Sequence, residues 1–341
     1  MSFAPPKTYK AYAFKERGGK LEEIELEWQD PKAGEVVVKV LACGVCASDT
    51  CVQTQAFPSV VYPRVPGHEI IGDVVAVGEG EQLWKFGDRV GAGWHGGHCH
   101  NCTRCRKGDY VTCSLSSQPN GIARNGGYAQ YVTLRSEALA NIPRDMDPAE
   151  AAPLMCAGVT TFCALRSSTV PGPEIAAIQG IGGLGHLAIQ FARHMGYRVV
   201  ALSTSDSKRE LALQLGAHEF ISGTGAEQAA ALQKLGGARL VAATAPEPDA
   251  INPLIDGCTF DSEILVLPVD SRSLTIPIMP LLGKRLSVRG WPYGSGQDCE
   301  DTVQFARAHG IKSIVETFPL EKAAEAYERR ASAKFRSVII P

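Results

Sequence analysis

The sequence has no apolar run long enough to span a bilayer, and its first residues, MSFAPPKTYKAYAFKERGGK, contain no apolar signal core. It also lacks an excess of positive charge: 34 Lys and Arg against 36 Asp and Glu leave a formal net charge of -2. That balance gives no electrostatic footprint for nucleic acid and no polybasic anchor for anionic lipid. Internal repeats, low-complexity tracts and long linkers are absent as well. The expectation is a soluble globular protein, cytoplasmic in location, whose partner is a small molecule.

What is present points further. A chain of 341 residues exceeds the usual size of a single core, so two domains are expected. From about Tyr9 to Val132, short β-branched runs such as EVVVKVLA and IIGDVVAVG alternate with Gly, Pro and Asp turns, the texture of a β-rich module. Near Met146 the pattern turns helical with DPAEAAPLMCAGVTTFCALRS. From Glu174 six candidate strands, EIAAIQG, RVVALS, EFISG, ARLVAATA, EILVLPV and RLSVRGW, alternate with helical connections. Such alternation predicts an α/β fold with a doubly wound parallel sheet. After Trp291 the elements CEDTVQFARAHG, IKSIVETF, LEKAAEAYERRASA and RSVIIP are too few for a third domain, and they are expected to complete the first. The boundaries read as 1–152, 153–290 and 291–341.

Eleven cysteines in a reducing compartment argue for metal ligands before disulfides. In HCHNCTRCRKGDYVTC, Cys99, Cys102, Cys105 and Cys113 are spaced to close a tetrahedral thiolate shell around Zn²⁺ with no open position, which is a structural site. His95, His98 and His100 crowd the same region as competing ligands, and the complete cysteine set favours placing them at the surface or behind the ligands.

Directly after a candidate strand and at the head of a candidate helix, GIGGLG supplies Gly180, Gly182 and Gly185, with Gly183 and Leu184 between them. Glycines there permit a tight turn and close backbone approach, and the helix N-terminus offers N–H donors to a pyrophosphate. The end of the next strand discriminates between cofactors. An NAD site usually places Asp or Glu there for the ribose 2′-hydroxyl. This chain has Ser203, Thr204 and Ser205 followed by Lys208, donors suited to a 2′-phosphate, so NADP(H) is favoured over NAD(H). Asp206 stands close enough to supply the missing acid, and that alternative stays open.

Three further segments, CGVCASD, GHEIIGDVVAVG and PLMCAGVTTF, complete the motif set. Together with the four-cysteine segment and GIGGLG, in this order and spacing, they closely resemble the zinc-dependent alcohol dehydrogenases of the medium-chain dehydrogenase/reductase superfamily, over essentially the whole chain. The resemblance implies a GroES-like, partly β catalytic domain and a Rossmann cofactor domain separated by a cleft. It assigns a catalytic zinc to Cys46, His68 and Cys156, a second zinc to the four-cysteine segment, Asp49 as the acceptor that orients His68, and Glu69 as a second carboxylate near the metal. It gives Ser48 the role of relaying the substrate proton, Thr160 a place beside the nicotinamide, and Arg336 a reach to the pyrophosphate. Phe57 and Trp94 match residues that line the substrate pocket, and two bulky aromatics there favour a slim or planar primary alcohol or aldehyde.

This sequence departs from the family at two places. Cys51 holds the position where a histidine continues the relay in well-known members, and Ala47 replaces a basic residue near the pyrophosphate. Cys43 reads as a buried spectator, and Trp291 and Tyr293 as residues closing over cofactor or substrate. The expected function is hydride transfer between NADP(H) and an alcohol or aldehyde, by a homodimer or homotetramer. Reduction of an unsaturated carbonyl on the same scaffold, or dinucleotide sensing without turnover, are the alternatives.

Overall fold

The computed structural model describes residues 3–331 and 335–341. By internal contacts the chain divides into two units. The first comprises Met1–Val159, Tyr293–Arg307 and Lys312–Pro341, and the second Thr160–Pro292 with Ala308–Ile311.

The first unit begins with seven strands, β1 Thr8–Phe14, β2 Leu21–Glu27, β3 Glu35–Gly44, β4 Ile70–Val77, β5 Arg89–Ala92, β6 Tyr131–Arg135 and β7 Ala140–Asn141. Burial follows the residue pattern. In LEEIELE the alternation over Ile24–Glu27 leaves Ile24 and Leu26 half-buried and Glu25 and Glu27 exposed, so this end of β2 shows one face to the core and one to solvent. The nearly unbroken apolar run of EVVVKVLACG makes β3 buried along most of its length, as suits the centre of a sheet. Hairpin β1–β2 is antiparallel and forms its own two-stranded sheet.

The second unit is built on β8 Ile175–Gln179, β9 Arg198–Ser203, β10 Glu219–Ser222, β11 Ala238–Ala243, β12 Cys258–Val266 and β13 Ser287–Gly290. All pair in parallel, in the order β10-β9-β8-β11-β12-β13. Viewed along the chain this is 3-2-1-4-5-6, the doubly wound arrangement expected from the sequence, with its strand-order reversal beside β8. Every residue of β8 is buried, because helices cover both faces of such a sheet. Burying Ile178 and Leu202 there contributes about 1.5–3 kcal/mol each. Helices α1 Ala157–Arg166, α2 Gly185–His194 and α3 Gly225–Lys234 belong to this part of the chain, and α3 opens with a capping box between Thr224 and Glu227.

After β13 come α4 Gly296–His309, β14 Val315–Pro319 and β15 Arg336–Ile340. The last two strands add to the first unit's sheet, ordered β14-β15-β3-β4-β5-β7 with β6 also pairing β3. The segment LEKAAEAYERRASA is not the single helix its composition predicts. Its α-helical part is Ala323–Glu328, and the next residues tighten into a 3₁₀ turn at Arg329–Ala331. There Arg330 lies over the Tyr327 ring at 4.0 Å, and Arg329 pairs with Glu316 of β14 at 2.8 Å. No single helix among the described residues is long and apolar enough to cross a membrane.

Candidate active site

Cys46 ends the run after β3 and precedes a 3₁₀ turn over Ala47–Asp49. Asp49 Oδ2 accepts from the Cys46 N–H at 2.9 Å, closing the turn and fixing the direction of the thiol. His68 and Glu69 stand just before β4. The third donor arrives through a break in a helix: the segment from Pro148 begins helical, tightens over Ala152–Met155, and at Cys156 leaves helical geometry with φ -132° and ψ -76° before α1 resumes. Pro153 has no N–H to give, which favours a change of path here. The continuous helix implied by the sequence texture is thus interrupted at the residue whose side chain the site uses.

Donor atoms of Cys46, His68, Glu69 and Cys156 all lie within 4.8 Å of one another. Cys46 Sγ and Cys156 Sγ are 4.0 Å apart. His68 is fully buried, and its Nε2 has no hydrogen-bond partner among the described residues. A buried imidazole nitrogen left open toward two sulfurs is costly unless something occupies it. Two thiolates and one imidazole are also the donor types that suit Zn²⁺, so the residues fit that ion.

The electrostatics agree. The Cys156 thiol donates toward Cys46 and holds the Cys46 thiol well below its usual range, while the same bond and burial push Cys156 well above it. Burial alone would lower His68, but Asp49 and the Cys46 sulfur outweigh it and raise it. Burial lifts Glu69 to about 8, against the opposing pull of Arg336. This is a buried cluster rich in anionic sulfur, short of positive charge and sharing its protons. Among the described residues Arg336 supplies the nearby guanidinium, its Nη2 3.3 Å from Glu69 Oε1 and its Nη1 donating to the Val45 carbonyl at 3.2 Å. The ion-pair distance to Glu69 is short, but the N–H is not aimed along it, so both carboxylate oxygens and Arg336 Nε and Nη2 keep hydrogen-bonding capacity. Gly44 makes room for this group, since a Cβ there would fall 1.9 Å from Glu69 Oε2.

Asp49 is fully buried and lies 3.1 Å from His68 Nδ1 through Oδ1. Sequence reasoning missed what holds Asp49. The Tyr128 hydroxyl donates to Oδ2 at 2.8 Å, and the Gly67 N–H to Oδ1 at 3.2 Å. Gly67 has φ +101°, and a Cβ on it would sit 2.5 Å from Tyr128 Cδ1, so the glycine of PGHE and the tyrosine of NGGY specify one another. The only sequence signal was glycine beside a site residue in both segments.

Ser48 is half-buried in the turn between Cys46 and Asp49. Cys51 is half-buried one turn later, packed against the unit's core, and burial keeps its thiol protonated. Cys43 is fully buried. Trp94 stands edge-on to His68 with ring centroids 4.8 Å apart, and Phe57 meets Trp94 at 6.1 Å. A separate cavity of about 510 Å³, lined by Tyr9, Trp28, Arg124 and Tyr131 among others, contains none of these donors.

Cys99, Cys102, Cys105 and Cys113 converge in one loop, and no histidine among the described residues joins them. Backbone N–H groups of Cys102, Cys105 and Ser116 donate to the sulfurs of Cys99, Cys102 and Cys113 at 3.3, 3.5 and 3.4 Å. The donation from Cys105 holds Cys102 down to about 5, and burial pushes Cys105 up to about 12. His95 and His98 are buried rather than at the surface; they face each other at 3.0 Å, and His98 stacks on Tyr110 at 4.1 Å.

In the second unit GIGGLG forms the turn from β8 into α2. Gly180 has φ +86°, and a Cβ on Gly185 would fall 1.9 Å from the Gly180 carbonyl oxygen, so both are required by the turn itself. At Gly182 a Cβ would meet nothing within 4 Å. Its missing side chain serves something the protein itself does not fill, which is how a pyrophosphate cradle reads. Leu184 precedes α2 with no side-chain cap, and the His186 and Leu187 N–H groups of the first turn donate to the Gly182 and Leu184 carbonyls, each at 3.1 Å. Lys208 Nζ donates to the Ile181 carbonyl at 2.7 Å, which brings the cation to the edge of this loop, near Ser203 at the end of β9. Thr204 and Ser205 continue the chain from there, and Ser205 Oγ lies 2.9 Å from Ser207 Oγ. Asp206 is turned to Arg209 and Ser222, its Oδ1 3.0 Å from Arg209 Nε and 3.1 Å from Ser222 Oγ. Thr160 is buried in α1, with Oγ1 donating to the Pro292 carbonyl at 3.4 Å.

Comparison with known proteins accounts for this combination. The family model described as "Alcohol dehydrogenase GroES-like domain" matches residues 32–144, and that described as "Zinc-binding dehydrogenase" matches 183–308. An alcohol dehydrogenase of Penicillium expansum, patD, is 49% identical over 341 residues, covering 99% of both chains. The chain belongs to the zinc-type medium-chain alcohol dehydrogenases. An alcohol dehydrogenase of Geobacillus stearothermophilus is 36% identical over 94% of this dehydrogenase and 95% of its own length. Among solved structures, acetophenone reductase of Geotrichum candidum in complex with NAD superposes with a TM-score of 0.88 at 28% identity, covering 99% of each chain. The dehydrogenase is therefore an oxidoreductase of alcohols and aldehydes, a class that pairs zinc-binding and nicotinamide-binding modules.

Proposed function

We propose that this dehydrogenase is an NADP(H)-preferring, zinc-dependent reductase of slim or planar aldehydes and an oxidant of the corresponding primary alcohols. The observation that carries the reading is the convergence of Cys46, His68 and Cys156, buried beside Trp94. These three residues would hold the ion, which when bound supplies Lewis-acid polarisation of the substrate oxygen, while the dinucleotide supplies or accepts hydride. The Asp49 carboxylate, 3.1 Å from His68 Nδ1, favours the proton on that nitrogen and so leaves Nε2 for the ion, and Tyr128 and Gly67 hold Asp49 in turn. Trp94 and Phe57 wall the approach and admit flat groups beside His68. Ser48, in the same turn as Cys46, moves the substrate proton outward. Cys51 is a poor continuation, because its buried thiol stays protonated, so the proton leaves through water or cofactor hydroxyls.

Ser48→Ala tests that assignment. Alcohol oxidation is expected to fall by about 10²- to 10⁴-fold in kcat, the range for loss of a positioned proton-transfer group. Unchanged oxidation kinetics would remove Ser48 from the mechanism and favour a chemistry that needs no alcohol deprotonation.

For the cofactor, Ser203, Thr204, Ser205 and Lys208 form the 2′-phosphate site, and the diversion of Asp206 to Arg209 and Ser222 supports this over an NAD-type acid. Gly180, Gly182, Gly183, Leu184 and Gly185 cradle the pyrophosphate, while Arg336 is buried against Glu69 and the sulfurs of Cys46 and Cys156, whose charge it balances. The two glycines that face different constraints separate folding from binding. Gly185→Ala should cost about 2 kcal/mol or more of stability through the backbone clash. Gly182→Ala should melt like the parent and bind NADPH about tenfold or more weakly. Thermal melts paired with NADPH fluorescence titrations read both, and parental affinity in Gly182→Ala would show that the loop is not a cradle.

A further inference from the structure

The residue that follows β13 into the first unit, Tyr293, is held at every point. Its backbone precedes a tight cap in which Ser295 N and Oγ donate to Asp298 Oδ2 at 2.9 and 2.8 Å. A Cβ at Gly294 would fall 2.3 Å from Val159 Cγ2, so the segment is packed too closely for any larger residue. The Tyr293 ring lies 6.3 Å from Trp94, tilted by 39°. Its hydroxyl donates to the Val111 carbonyl at 3.0 Å, with the Ser117 side chain beside it.

Val111 and Ser117 lie on either side of Cys113 in the loop that carries the four sulfurs. Trp94, on the other side, stands edge-on to His68 and meets Phe57. An uninterrupted line of contacts thus joins the four-cysteine loop to the catalytic histidine: loop carbonyl, phenol, indole, imidazole. A tyrosine is well chosen for this, because one side chain provides a flat apolar wall at its middle and a directional donor at its tip.

We propose that Tyr293 limits the width of substrate admitted beside His68, and that the four-cysteine lobe holds it in that position through the Val111 carbonyl. This rests on Cys46, His68 and Cys156 being the catalytic centre. The lobe then acts on selectivity without touching the reacting atoms. Coupling of this kind is reciprocal, so loosening the phenol also loosens the lobe.

The test uses the zinc-loaded enzyme with Tyr293→Ala and Tyr293→Phe. The ratio of kcat/KM for acetophenone over acetaldehyde should rise about tenfold or more in Tyr293→Ala, where the wall is gone. In Tyr293→Phe, where the ring stays but its tether is lost, the ratio should rise by roughly threefold. The second readout is zinc release from the lobe to a chromogenic chelator, expected to be several times faster in Tyr293→Phe than in the parent. An unchanged substrate ratio in Tyr293→Ala overturns the proposed wall. An unchanged release rate in Tyr293→Phe overturns the coupling. A parent enzyme inactive on every aldehyde sinks the catalytic reading and this proposal with it, and is recognised before any variant is compared.

Discussion

Cys46→Ala is expected to lower kcat/KM for every alcohol and aldehyde by about 10³-fold or more and to reduce bound zinc from about two ions per chain to about one. The size of the effect follows from the geometry. Removing one sulfur leaves His68 Nε2 and Cys156 as the remaining close ligands, with Glu69 as the nearest substitute donor. Two protein ligands do not retain Zn²⁺ against the cellular pool, and the loss of Lewis-acid polarisation is worth several kcal/mol of barrier. The lobe should keep its ion, because its four sulfurs form a separate cluster. Metal analysis and steady-state kinetics on the same preparation settle the matter, with a melting curve to show that the variant is folded. Full activity, or two ions still bound, would mean that Cys46 is not a ligand.

The second large effect concerns cofactor choice. kcat/KM with NADPH should exceed that with NADH by about tenfold to a hundredfold, since one or two charge-assisted hydrogen bonds to a 2′-phosphate are at stake. Lys208 carries most of this, because its Nζ is already placed at the Ile181 carbonyl beside the glycine turn. The double variant Ser203→Asp, Lys208→Ala replaces a donor by a carboxylate that repels phosphate and accepts from a ribose hydroxyl, so it should reverse the preference. A parent enzyme that prefers NADH would show that Asp206 leaves Arg209 when cofactor binds and that the reading of this turn is wrong.

The parts of this architecture that were legible in the sequence are those encoded by local chemistry. Parallel strands announce themselves as short apolar runs because both faces are covered, as in IAAIQ and RVVALS. Gly180 and Gly185 are readable because no other residue tolerates the conformation or the close approach. The four cysteines of the lobe were likewise readable at ligand spacing, whereas Cys46, His68 and Cys156 were assigned by the family resemblance. What stayed hidden depends on contacts between distant segments. Nothing in NGGYAQY indicates that Tyr128 reaches Asp49, and nothing in KFRSVI indicates that Arg336 turns to Glu69. The helix break at Cys156 was masked by alanine-rich flanks with strong helical preference, and at the end of the last helix Arg329 turns to Glu316, a partner from a distant strand. The sequence left the histidines near Cys99 either at the surface or behind the ligands; His100 is exposed, and the packing that buries His95 and His98 on one another and on Tyr110 is invisible to spacing.

The two sulfur sites also differ in how far apart their members lie along the chain. The lobe's cysteines belong to one short loop, whereas Cys46 and Cys156 are separated by 110 residues. Closing the longer segment costs on the order of 2 kcal/mol more in chain entropy. The nascent protein can therefore close its lobe while most of the polypeptide is still uncollapsed. The catalytic trio assembles only once β3, β4 and the segment before α1 have come together, so a loaded reaction centre marks the folding of the first unit's sheet and not merely of its lobe.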